Sequence, residues 1–151
     1  MNTTIMQYLW TALLSSFLFT SGIWETDFEK AKESAQSEHK LILLNFSGSD
    51  WCGPCIRMHK EIFENNSFQQ YAEDHLVLVR ADFPRLKKNQ LAKDQQKRNE
   101  KLADKFDKEG IFPLTILLTA EGKMIKKWEG LPQISPDEFT SQIKAFTDAN
   151  Q

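Results

Sequence analysis

The sequence predicts an α/β domain in which helices cover both faces of a central mixed β-sheet. Three observations carry that reading. Leu41 to Phe46 (LILLNF), Leu76 to Asp82 (LVLVRAD) and Leu114 to Thr119 (LTILLT) are short, nearly continuous apolar runs, the pattern of strands buried on both sides. Segments with helical spacing alternate with the first two runs, and the third is followed by a turn and an alternating segment, MIKKWEG, which suits an antiparallel partner. A length of 151 residues, 40% hydrophobic and 26% charged, fits one globular domain and excludes low-complexity and disordered classes.

Each element has a local cause. Thr26-Asp-Phe-Glu29 matches a capping box, and the helix it opens would present Phe28, Ala31 and Ala35 on one face. After the first strand, Ser47-Gly-Ser-Asp50 is a loop, and Trp51-Cys-Gly-Pro-Cys55 leads into the helical pattern IRMHKEIF. Asn65-Asn66-Ser67 interrupts that helix, and FQQYAEDH forms another before the second strand. Residues 84–108 hold nine basic side chains against four acidic ones; Leu91, Leu102 and Phe106 suggest a long helix that meets the core only near its ends. Such a charge run is first a solvated helix face, with a docking face for an acidic partner as the alternative. Ser135-Pro-Asp-Glu138 combines an N-cap, an N1 proline and an N3 glutamate, and Phe139, Ile143 and Phe146 line the last helix. The resulting order is α-β-α-α-β-α-β-β-α.

Charge is absent from the first 24 residues; all of the 19 Lys+Arg and 21 Asp+Glu side chains follow. Tyr8 to Phe19 (YLWTALLSSFLF) is mostly apolar, too short for a span of roughly 20 residues but suited to the apolar region of a secretory signal. Thr20 and Gly22 are small residues placed for cleavage after Gly22, although MNTTIMQ supplies no Lys or Arg. Residues 1–22 are therefore read as an export signal, with an uncleaved anchor as the alternative. Residues 23–151 form the domain, with a helical insertion around 84–105. A net charge of −2 provides no large field for nucleic acid.

The chain has two cysteines, Cys52 and Cys55, too few for a disulfide scaffold or a four-cysteine metal site. Between a buried strand and a helix, a thiol at Cys52 would meet unpaired N–H groups and the positive end of the helix dipole, which favour the thiolate. Cys52 is the candidate nucleophile, and Cys55, one turn on and facing inward, the candidate resolving thiol. Pro54 sets the turn, Gly53 permits close backbone approach, and Trp51 offers an aromatic wall. Two other readings compete: a copper-type site using Cys52, Cys55 and His59, and a structural disulfide, which would close so small a loop that it constrains little.

Trp51-Cys-Gly-Pro-Cys55 after a buried strand, with Ile111-Phe-Pro113 before another, resembles the thioredoxin family. SGSDWCGPCIRMHKEIF resembles its exported bacterial members, and the similarity runs from Glu25 to the C-terminus. The resemblance implies the thioredoxin fold and a thiol–disulfide oxidoreductase with no cofactor beyond the Cys52–Cys55 disulfide and no metal. It implies a cis Phe112–Pro113 bond, with Phe112, Trp51 and Leu114 contacting an extended substrate segment. Implied partners are disulfide-containing proteins or peptides and a membrane-embedded thiol reductase as electron donor; no nucleic acid is expected, and the chain should be monomeric. The Gly-Pro pair between the cysteines resembles the reducing members, so disulfide reduction outside the cytoplasm is the leading function. Oxidase or isomerase action, a non-catalytic binding module and a metal carrier are the alternatives.

The sequence departs from the family in three places. Asn45 stands where a buried Asp usually accepts the resolving thiol's proton, leaving Asp50 and Asp82 as relay candidates. Leu114 replaces the usual Thr after the cis-proline, predicting a more apolar rim. The basic insertion replaces a short connection.

Overall fold

The computed structural model describes residues 23–150; the export signal read at 1–22 lies outside them. The expected thioredoxin fold is present. Helix α1 (Phe28–Glu38) precedes strand β1 (Leu41–Ser47), helices α2 (Gly53–Met58) and α3 (Asn66–His75), and strand β2 (Leu76–Asp82). Helix α4 (Lys93–Phe106), the hairpin β3 (Leu114–Leu118) and β4 (Met124–Glu129), and α5 (Pro136–Asp148) complete it. The sheet order is β2-β1-β3-β4, with β1 parallel to β2 and antiparallel to β3, and β3 antiparallel to β4.

Alternation along the strands decides which layer each residue meets. Ile42, Leu44 and Phe46 join Val77, Val79, Leu114 and Ile116 against α1 and Leu102 of α4. Leu41 and Leu43 join Leu78, Leu117 and Trp128 against Met58, Phe63, Phe68, Phe139 and Ile143 on the opposite face. By the same period, Asn45 belongs to the second face. Its register partners are Arg80 on β2 and Thr115 on β3, so these polar residues lie on the side that carries α2.

Several local expectations change. The first helix is capped by Asp27, not Thr26: its carboxylate accepts the amides of Glu29 and Lys30 at 3.1 and 3.2 Å. The capping-box spacing is present, but the adjacent Asp takes the job with a stronger acceptor. Glu25 forms a single parallel bridge to Val79 at the outer edge of β2, an element with no periodic signature. The IRMHKEIF helix is not uniform, because α2 passes into a π-helical turn at His59–Phe63 that turns both Ile62 and Phe63 inward.

Helix α4 meets the core differently from the expectation of contact only at its ends. Asn99, in its middle, is buried; its side-chain amide donates to the Asp82 carbonyl at 2.8 Å and accepts from Gln95 at 2.7 Å. The basic helix is therefore fastened to the end of β2 by an amide that no apolar periodicity reveals. Ser135, by contrast, caps α5 as predicted, its hydroxyl accepting the Glu138 amide at 3.1 Å.

Candidate active site

The loop after β1 delivers both cysteines. Cys52 has extended backbone angles and occupies the N-cap of α2, with Gly53 and Pro54 as the first helical residues. The Cys52 sulfur accepts the Cys55 backbone N–H at 3.2 Å, the place a capping oxygen usually takes. A negative sulfur there would gain from the same N–H and from the helix dipole. Cys52 and Cys55 are disulfide-bonded, with Cα atoms 5.2 Å apart, and are only 5% and 3% exposed. The Gly48 amide points at the Cys55 sulfur at 3.5 Å.

Trp51 stands beside them and is held from three sides. Its indole N–H donates to the Phe83 carbonyl at 2.7 Å, and its ring meets Phe112 edge-on at 5.4 Å. The Arg85 guanidinium lies 3.6 Å from the ring centroid. Gly48 is required here because a Cβ at that position would overlap the indole. At Gly53 the space is open, since a Cβ there meets nothing within 4 Å. The fold does not need glycine at 53, which leaves the surface beside the disulfide open.

The Phe112–Pro113 peptide is cis, as the resemblance implies. Among the described residues the Phe112 backbone has no hydrogen-bond partner, whereas the Pro113 carbonyl accepts from Gly130 at 2.8 Å. The loop is shaped by Asp107, whose carboxylate accepts the Ile111 amide at 2.8 Å and whose other oxygen is buried without a partner. Burial raises the pKa of this carboxyl, against the Ile111 and Gly110 amides that lower it. Leu114, expected at the substrate rim, is instead 1% exposed. The reason is the period of two: Thr115 pairs with Asn45 on the face that carries α2, so Leu114 must point to the other face.

Both relay candidates accept hydrogen bonds from the loops around the site. Asp50 accepts the Arg85 and Leu86 amides at 2.9 and 3.0 Å and the Asn89 side chain at 3.0 Å. These contacts, led by the Arg85 amide, hold its pKa below the ordinary carboxylate value. Asp82 accepts the Ser49 amide and hydroxyl at 2.9 and 2.5 Å and the Phe83 amide at 3.0 Å. Both carboxylates therefore tie loops together. On the face beneath α2, the Asn45 side chain donates to the Thr115 hydroxyl at 3.1 Å, and that hydroxyl donates to the Met58 sulfur at 3.7 Å. Asn45 and Thr115 cannot titrate.

His59 does not complete a metal site with the cysteines. Its Nδ1 accepts from Arg80 at 2.8 Å and its Nε2 meets Glu64 at 3.2 Å. Burial first, and then the Arg80 charge, hold its pKa below the usual histidine value. Among the described residues, no group of three or more His, Cys, Asp and Glu side chains is arranged to hold a metal ion. The residues that sequence reasoning missed are Gly48, Phe83 and Arg85. Nothing local marks them, because each matters through its contact with Trp51.

Comparison with known proteins agrees with this geometry. A family model described as a thioredoxin-like domain matches residues 28–147. The chain is 36% identical to the disulfide bond reductase DsbH of Chlamydia pneumoniae over 122 residues, covering 81% of this chain and 70% of that protein. It is also 31% identical to the thioredoxin-related protein DsbJ of the same organism, covering 70% of this chain but spanning only 29% of the relative's length. A solved structure described as a DsbH oxidoreductase superposes with a TM-score of 0.76 at 28% identity, covering 98% of this chain and 95% of that one.

Proposed function

Given that the chain belongs to the thioredoxin-like domain family and is a thiol–disulfide oxidoreductase, we propose that it reduces disulfides of proteins or peptides outside the cytoplasm. The observation that carries the reading is the Cys52 sulfur at the N-cap of α2, receiving the Cys55 N–H. In the reduced protein that site favours a Cys52 thiolate, which attacks one sulfur of a substrate disulfide. A Cys52–substrate disulfide forms and the first substrate thiolate leaves. Cys55, deprotonated, then attacks the Cys52 sulfur, releasing the second substrate thiolate and restoring the Cys52–Cys55 bond. Two electrons pass to the substrate, and an external dithiol reductase, in our reading a membrane-embedded one, returns them.

Trp51 and Phe112 form the apolar wall, and the unpaired Phe112 backbone lets an extended substrate segment add beside Pro113. Gly53 keeps the approach to the disulfide open. With Asn45 in place of an acid, Cys55 gives its proton to water or to the departing substrate thiolate. The charge-free, apolar segment 8–19 supports export, and a monomer suffices for this chemistry.

Cys55→Ser tests the assignment. The variant should accumulate mixed disulfides through Cys52 that resolve at least about a thousandfold more slowly, seen as substrate adducts by mass spectrometry. Cys52→Ser should form none. Adducts on Cys55 in preference to Cys52 would reverse the roles. A redox titration checks the direction: a midpoint near about −120 mV, as in strongly oxidising relatives, rather than near about −270 mV, would make it an oxidant.

A further inference from the structure

We infer that Arg85 is a specificity-determining residue of this site, selecting disulfides whose cysteine is flanked by a carboxylate; the inference rests on the reductase reading above. Its basis is how the insertion is fastened. Residues 84–92 contain Arg85, Lys87 and Lys88 and no acidic side chain. Asp50, two positions before Cys52, accepts the amides of Arg85 and Leu86 and the side chain of Asn89, so this cationic segment is pinned to the active-site loop.

The pinning sets one side chain in particular. The Arg85 guanidinium stacks 3.6 Å from the Trp51 ring centroid, and Trp51 is itself fixed by Phe83, Phe112 and Gly48. Stacking occupies one face of the guanidinium and leaves its edge donors in the plane. Among the described residues that guanidinium makes no ion pair and no hydrogen bond, even though Asp50 binds its own backbone amide. An oriented planar fork with unused donors is the arrangement that binds a carboxylate with two parallel hydrogen bonds. Trp51 adjoins Cys52 and touches both Phe112 and Arg85, so a substrate strand that pairs at Phe112 with its cysteine at Cys52 would bring its neighbouring side chains toward Arg85.

The experiment uses the pre-reduced protein and three peptide disulfides that differ only in the residue beside the target cysteine: Asp, Asn or Lys. At low ionic strength the Asp peptide should be reduced about fivefold faster than the Asn peptide, in apparent affinity rather than limiting rate. The advantage should shrink as salt is raised. Arg85→Glu should shift the preference to the Lys peptide, and Arg85→Lys should keep only part of the preference for Asp. Lys101→Gln, which removes one positive charge from α4, should retain it. Equal rates for the three peptides with the wild type, or an Asp preference that survives Arg85→Glu, overturn this inference while leaving the reductase reading intact. If no peptide is reduced, the reductase reading fails and this inference falls with it.

Discussion

On the outer side of the Cys52–Cys55 pair, charged groups are dense: Asp50 and Asp82 fasten loops and Arg85 lies on Trp51. On the sheet face beneath α2, Asn45, Thr115 and Met58 form a buried chain that itself holds no titratable group, with Arg80 beside Asn45 turned to His59. The two sides obey different economics of solvation. A rim carboxylate keeps part of its hydration and can spend its lone pairs on backbone amides. A carboxylate at position 45, in the layer beneath α2, would have to shed water with the Thr115 hydroxyl as the donor left to it in that chain, facing the Leu114 carbonyl and beside Arg80. Placing Asn in that layer exchanges a proton acceptor for a neutral, hydrogen-bonded floor. Charge control of the site then comes from the rim and from the N-terminus of α2.

The strongest way to break this contrast is to put the acid back. Asn45→Asp should cost about 3 kcal/mol at neutral pH, measured by urea denaturation. Burial would raise the new carboxyl's pKa in the folded state, so the folded protein binds the proton more tightly than the unfolded chain. The penalty should therefore be absent below the ordinary carboxylate pKa of about 3.9 and grow as pH rises through the folded value. A penalty that does not change with pH would mean that hydration or the neighbouring Arg80 charge offsets burial at position 45.

Next in size is Trp51→Ala, which removes the piece joining the two sides. The ring is partly buried and contacts Phe112, Arg85 and the Phe83 carbonyl, so the loss should be about 2 kcal/mol in the same assay. A loss no larger than that of a surface substitution, about 0.5 kcal/mol, would show that Trp51 serves the substrate alone. The smallest global effect belongs to Asp50→Ala. Hydrogen exchange should show protection of the Arg85 and Leu86 amides falling to that of exposed loop amides, with the core amides unchanged. In the wild type the carboxyl's folded pKa lies below its unfolded one, so the anchor is intact above the ordinary carboxylate range. It is lost as pH falls through the lowered value. Arg85 and Leu86 protection that survives both the substitution and acid would remove Asp50 as the fastener.

Much of the frame was legible because its signals are short-range. Strand β2 has the predicted bounds, Ser135 caps α5 and the hairpin pairs as its alternation implies. At the site, the sulfur pair and its place at the start of a helix were legible from five consecutive residues. Errors arose where two local signals compete or where a partner is far along the chain. Asp27 outcompetes Thr26 at the neighbouring position. Resemblance alone places Leu114 at the rim, whereas the strand's alternation sends it into the core.

Residue types and local spacing by themselves determined the alternation of helices and strands, the cysteine pair and the absence of an acid at position 45. The tertiary structure alone decided what surrounds the sulfurs. Asp50 meets residues 35 to 39 positions away, Trp51 meets Phe83 and Phe112, and Arg85 reaches the indole only because of those contacts. Secondary structure is chosen by interactions across a few residues, which a sequence displays directly. A site's rim is chosen by which loops the sheet order brings to the same end, and that order exists only once the chain has folded.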